Sequence, residues 1–102
     1  MGELITVGPA SEVGEGDMSN FEIEGARIGI ARVQGALYAF SDVCTHQGCP
    51  LAEGELDGTE LECECHGSVF ELKTGAVVEG PATVPIEVYP AREVDGQIQI
   101  EV

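Results

Sequence analysis

Every cysteine and histidine in the chain falls in two short stretches: Cys44-Thr45-His46-Gln47-Gly48-Cys49-Pro50-Leu51 and Cys63-Glu64-Cys65-His66-Gly67-Ser68-Val69-Phe70. Thiolate sulfur and imidazole nitrogen are the usual protein ligands of zinc and of iron–sulfur clusters. Cys44 and His46 are two apart, and Cys63 and His66 are three apart, so each tight loop can aim one thiolate and one imidazole at a common centre. Sixteen residues separate the two pairs. Two inorganic fillings suit such a set. A zinc ion takes two Cys and two His in a tetrahedron. A [2Fe–2S] cluster takes two Cys on one iron and two His on the other. Zinc sites normally pair like with like, as C-x₂₋₄-C and H-x₃₋₅-H, whereas in this chain each loop supplies one of each. That mixed supply suits a cluster lying between two loops. Cys49 and Cys65 are left over.

The segments that must hold these loops carry the periodicity of strands. Gln97-Ile98-Gln99-Ile100-Glu101-Val102 alternates, as do Val84, Ile86 and Val88, Leu61 and Cys63 around Glu60 and Glu62, and Phe21 and Ile23 with Glu22 and Glu24. Gln34-Gly35, Asp57-Gly58 and Asp95-Gly96 sit between strand-like runs as turn signals. The Asp57-Gly58 turn lies between the two loops, and a hairpin there would bring them side by side. No window shows a 3.6-residue stripe, and Leu51 to Gly54 could hold one helical turn at most. Pro81, Pro85 and Pro90 argue for edges and loops in the last quarter. The expectation is an all-β meander of about eight to ten short antiparallel strands. The aromatic residues Phe21, Tyr38, Phe40, Phe70 and Tyr89 are assigned to the core, with Phe70 near the metal loops.

The C-x-H and C-x-x-H loops at this separation strongly resemble the Rieske family. Gly48, Pro50-Leu51, His66-Gly67 and Phe70 match the residues around its ligands, and Gly80-Pro81-Ala82 resembles the proline loop that covers its cluster. The resemblance spans roughly residues 36 to 90. It implies a Rieske-type fold in one domain over residues 1–102, with a cluster-binding part at about 41–82. It implies one [2Fe–2S] cluster, with Cys44 and Cys63 on one iron and His46 and His66 on the other. A high-potential subset of the family carries cysteines at the positions of Cys49 and Cys65, joined as a disulfide, and the same bond is expected in this chain. In that subset a Ser at the position of Ser68 hydrogen-bonds a bridging sulfide, and a Tyr at the position of Phe70 donates to a ligand sulfur. This chain keeps the Ser, replaces the Tyr and adds a carboxylate at Glu64. Hydrogen bonds to sulfur raise a cluster's potential and nearby negative charge lowers it, so a potential low in the Rieske range is expected.

At 102 residues the length suits a single domain, and 43% hydrophobic content marks a folding chain. Nineteen acids against Arg27, Arg32, Lys73 and Arg92 give a formal charge of −15. Phosphates would be repelled, so nucleic acid is excluded as a partner; a basic protein surface is favoured. Between Arg32 and Lys73 there is no Lys or Arg, while Asp42, Glu53, Glu55, Asp57, Glu60, Glu62, Glu64 and Glu71 form an acidic rim around uncharged loop tips. Neither a signal peptide nor a membrane-length apolar run is visible. No other constellation looks catalytic, and Gly14-Glu15-Gly16 lacks the flanking elements of a nucleotide loop. The resemblance and the charge therefore imply a cytoplasmic, monomeric one-electron carrier. It would pass electrons from a flavin-dependent ferredoxin reductase to a terminal Rieske non-haem iron oxygenase of aromatic catabolism. The alternative is a small Rieske subunit or domain of a larger redox enzyme, such as nitrite reductase or a quinol–cytochrome complex.

Overall fold

A computed structural model describes residues 3–101 apart from 24, 44–47 and 66. Among these are eleven strands: β1 (Leu4–Pro9), β2 (Met18–Ile23), β3 (Ala26–Val33), β4 (Ala36–Ser41), β5 (Glu55–Asp57), β6 (Glu60–Glu62), β7 (Val69–Glu71), β8 (Val77–Glu79), β9 (Val88–Tyr89), β10 (Ala91–Val94) and β11 (Gln97–Glu101). All pairings are antiparallel, in three sheets ordered β1-β11-β10, β2-β3-β4-β9 and β5-β6-β7-β8. The expected all-β architecture is present.

The middle sheet separates two cores. Along β3, Ile28 and Ile30 face one cluster with Ala39, Ile98 and Ile100, while Ala31 faces the other with Phe40, Leu61 and Phe70. The period-2 geometry of a strand lets one strand feed both sides. Gly29 is required there, because any Cβ would overlap the Phe40 ring. Phe40 and Phe70 are fully buried, and Phe21, Tyr38 and Tyr89 pack on the two cores from partly exposed positions.

The hairpin turns fall where the dipeptides placed them. Gln34 and Gly35 have φ of 52° and 80°, and Asp95 and Gly96 have 53° and 77°, the left-handed pair of a tight two-residue turn. The first turn is capped by Glu15, whose carboxylate accepts from the N–H of Gln34 and, at 2.8 Å, from that of Gly35. The expected helical turn is a 3-10 turn over Leu51–Glu53, and a second 3-10 turn, at Ala10–Glu12, has no sequence signal. The alternation of Val84, Ile86 and Val88 is not a strand at its start. Val84 is 54% exposed, and the strand is confined to Val88–Tyr89. Pro85 sits inside that run and has no N–H for a ladder, and Ile86 N–H instead donates to Gly75 O at 2.9 Å.

Candidate metal centre

The first loop leaves the sheet where the β3–β4 ladder ends. Ile28 pairs with Ser41, and one step further Asp42 N–H donates to Arg27 O at 2.9 Å. The chain returns at Ala52, whose N–H donates to Asp42 Oδ1 at 2.7 Å. Asp42 is fully buried, and its Oδ2 has no hydrogen-bond partner among the described residues. On the way back Gly48 takes φ of 78°, and its carbonyl accepts from Arg27 Nη2 at 3.1 Å. Leu51 is buried in the core beside Leu61 and Cys63 and fastens the returning limb. Cys44, His46 and the residues between and after them, through Gln47, lie outside the described residues.

The second loop follows β6. Cys63 N–H donates to Ser68 O at 2.7 Å, and Gly67 N–H donates to Cys63 O at 3.0 Å, with Gly67 at φ of 80°. Ser68 is fully buried, and its Oγ accepts from Ala82 N–H at 3.0 Å. That bond uses a lone pair and leaves the hydroxyl hydrogen available to a further acceptor. It ties the second loop to the exposed Pro81 segment, where the Gly80–Pro81 bond is cis. His66 lies outside the described residues.

The two loops are joined by a Cys49–Cys65 disulfide. The sulfurs of Cys49, Cys63 and Cys65 lie within 4.8 Å of one another. They are not a thiolate triad, because two of them are bonded to each other. Cys63, 1% exposed, is the described cysteine outside that bond. A buried thiol at the end of a strand, beside a second loop, fits a thiolate ligand of a soft or borderline metal. The close approach of the loops is also fixed by Gly54, where a Cβ would overlap the carbonyl of Glu62.

The outer face of the β5-β6-β7-β8 sheet is acidic. Its register sets Glu55 opposite Glu62, Asp57 opposite Glu60 and Glu60 opposite Glu71. With Glu79, the acids of β5 and β6 line a groove of about 450 Å³ whose other walls are Leu56 and Val69. The Glu62 carboxylate lies beside Gly67, so this face adjoins the second loop. Two residues depart from the sequence-based expectation. Asp42, expected in the acidic rim, is interior. Arg27, to which the sequence assigns no role, brings a cation to a segment that has none of its own. Neither has a local signal, since Arg27 and Gly48 are 21 residues apart and Asp42 and Ala52 are ten apart.

The Rieske [2Fe-2S] domain model matches residues 3–90. The ferredoxin component of the naphthalene 1,2-dioxygenase system of Pseudomonas aeruginosa is 35% identical over 86 residues, covering 84% of this chain and 82% of that protein. The cytochrome b6-f complex iron-sulfur subunit of Chlorobaculum thiosulfatiphilum is 39% identical over 86% of this chain, which spans only 48% of that subunit. Among solved structures, a chain from the complex of reduced oxygenase and oxidized ferredoxin in carbazole 1,9a-dioxygenase superposes with a TM-score of 0.88 at 33% identity, over 96% of this chain and 92% of that one. The chain belongs to the Rieske [2Fe-2S] domain family, and that membership implies an iron–sulfur cluster as its cofactor.

Proposed function

We propose that the chain is a diffusible, cytoplasmic one-electron carrier of a multicomponent oxygenase system, not itself an enzyme. It takes electrons from a flavin-dependent reductase and delivers them to a terminal Rieske non-haem iron oxygenase. The observation that carries this reading is the similarity to a dioxygenase ferredoxin along most of both chains. Cys44 and Cys63 would hold one iron of a single [2Fe–2S] cluster, and His46 and His66 the other. When bound, such a cluster supplies a reversible one-electron centre with no open coordination position. Cys63 brings its sulfur in from the buried side, and the Cys49–Cys65 bond holds the two loops together. Ser68 ties the second loop to the Pro81 segment.

The acidic sheet face supports a basic partner. Like charges placed directly opposite on a sheet destabilise it, and this face has three such pairs. A surface that costs stability and adjoins the metal loops fits electrostatic steering towards a cationic rim. A second reading, a subunit of a larger redox complex, is favoured by the disulfide, by Ser68 and by the similarity to a cytochrome-complex subunit.

The purified protein should be coloured, bleach with dithionite and accept one electron per chain. Reduction by a flavin reductase encoded nearby, followed by reoxidation by its oxygenase, supports the carrier. A colourless zinc protein would sink the cluster. A chain that co-purifies only within a membrane or cytochrome complex would replace the first reading by the second.

A further inference from the structure

Three contacts converge on the first loop from outside the ligand set. The backbone of Arg27 takes the loop's first N–H, that of Asp42. The side chain of Arg27 holds the carbonyl of Gly48 on the returning limb. The side chain of Asp42 holds the N–H of Ala52 at the return. We propose that Arg27 and Asp42 form a clamp across the start, the returning limb and the end of this loop, and act as positioning residues for the cluster site. The proposal rests on the ligand assignment under Proposed function, which places Cys44 and His46 between the clamped points.

Both residues sit where another use would be expected. The chain has 19 carboxylate side chains, yet the guanidinium of Arg27 bonds a neutral carbonyl. Asp42 is fully buried with one oxygen unpartnered among the described residues. Burying a carboxyl with half its acceptors unused is costly. A residue kept there at that cost does something an apolar side chain could not, and the Ala52 bond is that function. The clamp starts one step beyond the last rung of the β3–β4 ladder, the Ile28–Ser41 pair, so the rigidity of the sheet passes directly into the loop. Next along the chain, Cys49 is bonded to Cys65, so Gly48 and its neighbour are tied to two different parts of the chain.

The test compares Arg27→Ala, Asp42→Ala and Asp42→Asn with the parent in the cluster-loaded protein. It reads the rate at which a chelator bleaches the visible absorbance, and the g-values of the dithionite-reduced protein. Loss of groups that orient metal ligands typically costs on the order of tenfold or more in metal retention. Arg27→Ala and Asp42→Ala should bleach faster by about that factor and shift the g-values. Asp42→Asn keeps the acceptor for Ala52 and should stay close to the parent on both readouts. Parent-like rates and g-values in Arg27→Ala and Asp42→Ala overturn the clamp, and so does Asp42→Asn behaving like Asp42→Ala. If Asp42→Ala does not fold, Arg27→Ala, an exposed position, carries the test with the same criteria. A coloured parent with unmoved variants defeats the clamp alone, whereas a parent that binds no iron defeats the ligand assignment and the clamp with it.

Discussion

Cys49 and Cys65 take the two surplus ligands out of the metal set by bonding to each other. Four cysteines therefore reduce to Cys63 and Cys44 as candidate thiolates. Denaturing the iron-free protein without reductant should release two free thiols per chain, and four would contradict the bridge. The bond closes a separation of 16 residues, so replacing Cys49 and Cys65 by Ser should cost about 3 kcal/mol in thermal or denaturant unfolding. Phe70 is the other telling residue. It packs fully buried against Leu61, Cys63 and Leu72, where a tyrosine could offer an O–H to a ligand sulfur. Phe70→Tyr should raise the reduction potential, measured by voltammetry, and lower stability by about 1 kcal/mol, since an added hydroxyl must be fitted into a fully buried site. The parent potential should fall in the lower part of the roughly −150 to +300 mV Rieske range. A value well above about +200 mV on that scale would refute the assignment of Phe70 and Glu64 as residues that hold the potential down.

The β5-β6-β7-β8 sheet carries opposite chemistry on its two faces. Inward, Leu56, Leu61 and Phe70 pack on the core. Outward, the strands carry opposed acids. The turn after β7 is organised by Glu71, whose carboxylate accepts from the Lys73 N–H at 3.0 Å. The Thr59 hydroxyl, that N–H and the Lys73 charge hold its pKa below the ordinary glutamate value of 4.5. A depressed folded pKa means the stabilisation is present above the unfolded value and is lost as pH falls through the folded one. Acid unfolding of the parent should therefore show a proton-linked loss below about pH 4.5, and Glu71→Gln should flatten that limb. At the alkaline end Tyr89 behaves oppositely. Burial and then the Glu87 charge push its pKa above 10.0, so its contribution is complete below that value and fades as pH rises through the raised one.

Across the whole molecule the dominant quantity is the charge of −15. Encounter with a cationic partner should slow steeply as salt rises, because exposed charges are screened within about 8 Å at physiological ionic strength. Glu60→Lys separates docking from stability. Glu60 faces Asp57 on one side and Glu71 on the other. The substitution turns two opposed like-charge pairs into attractive ones and should raise the unfolding free energy by about 0.5 kcal/mol. It should at the same time slow stopped-flow electron transfer at low salt and weaken its salt dependence. Faster transfer, or an unchanged salt slope, would remove this face from the docking surface.

The residue order by itself determined the strand class, the dipeptide turns, the helical turn at Leu51 and the two loops in which all the cysteines and histidines gather. These are local properties of periodicity, φ preference and side-chain chemistry, legible within a few residues. The strand inferred from Val84 failed for a local reason too, since Pro85 breaks the ladder. The closing of Cys49 on Cys65 is expected through family resemblance and is seen in the fold. Only the tertiary structure decided that Asp42 is an interior tie and not a rim acid, that Arg27 belongs to the first loop, and that the acids of four short strands share one sheet face. Each of these depends on which strands lie side by side and in what register, and burial and pairing across such distances have no signature in the neighbouring sequence.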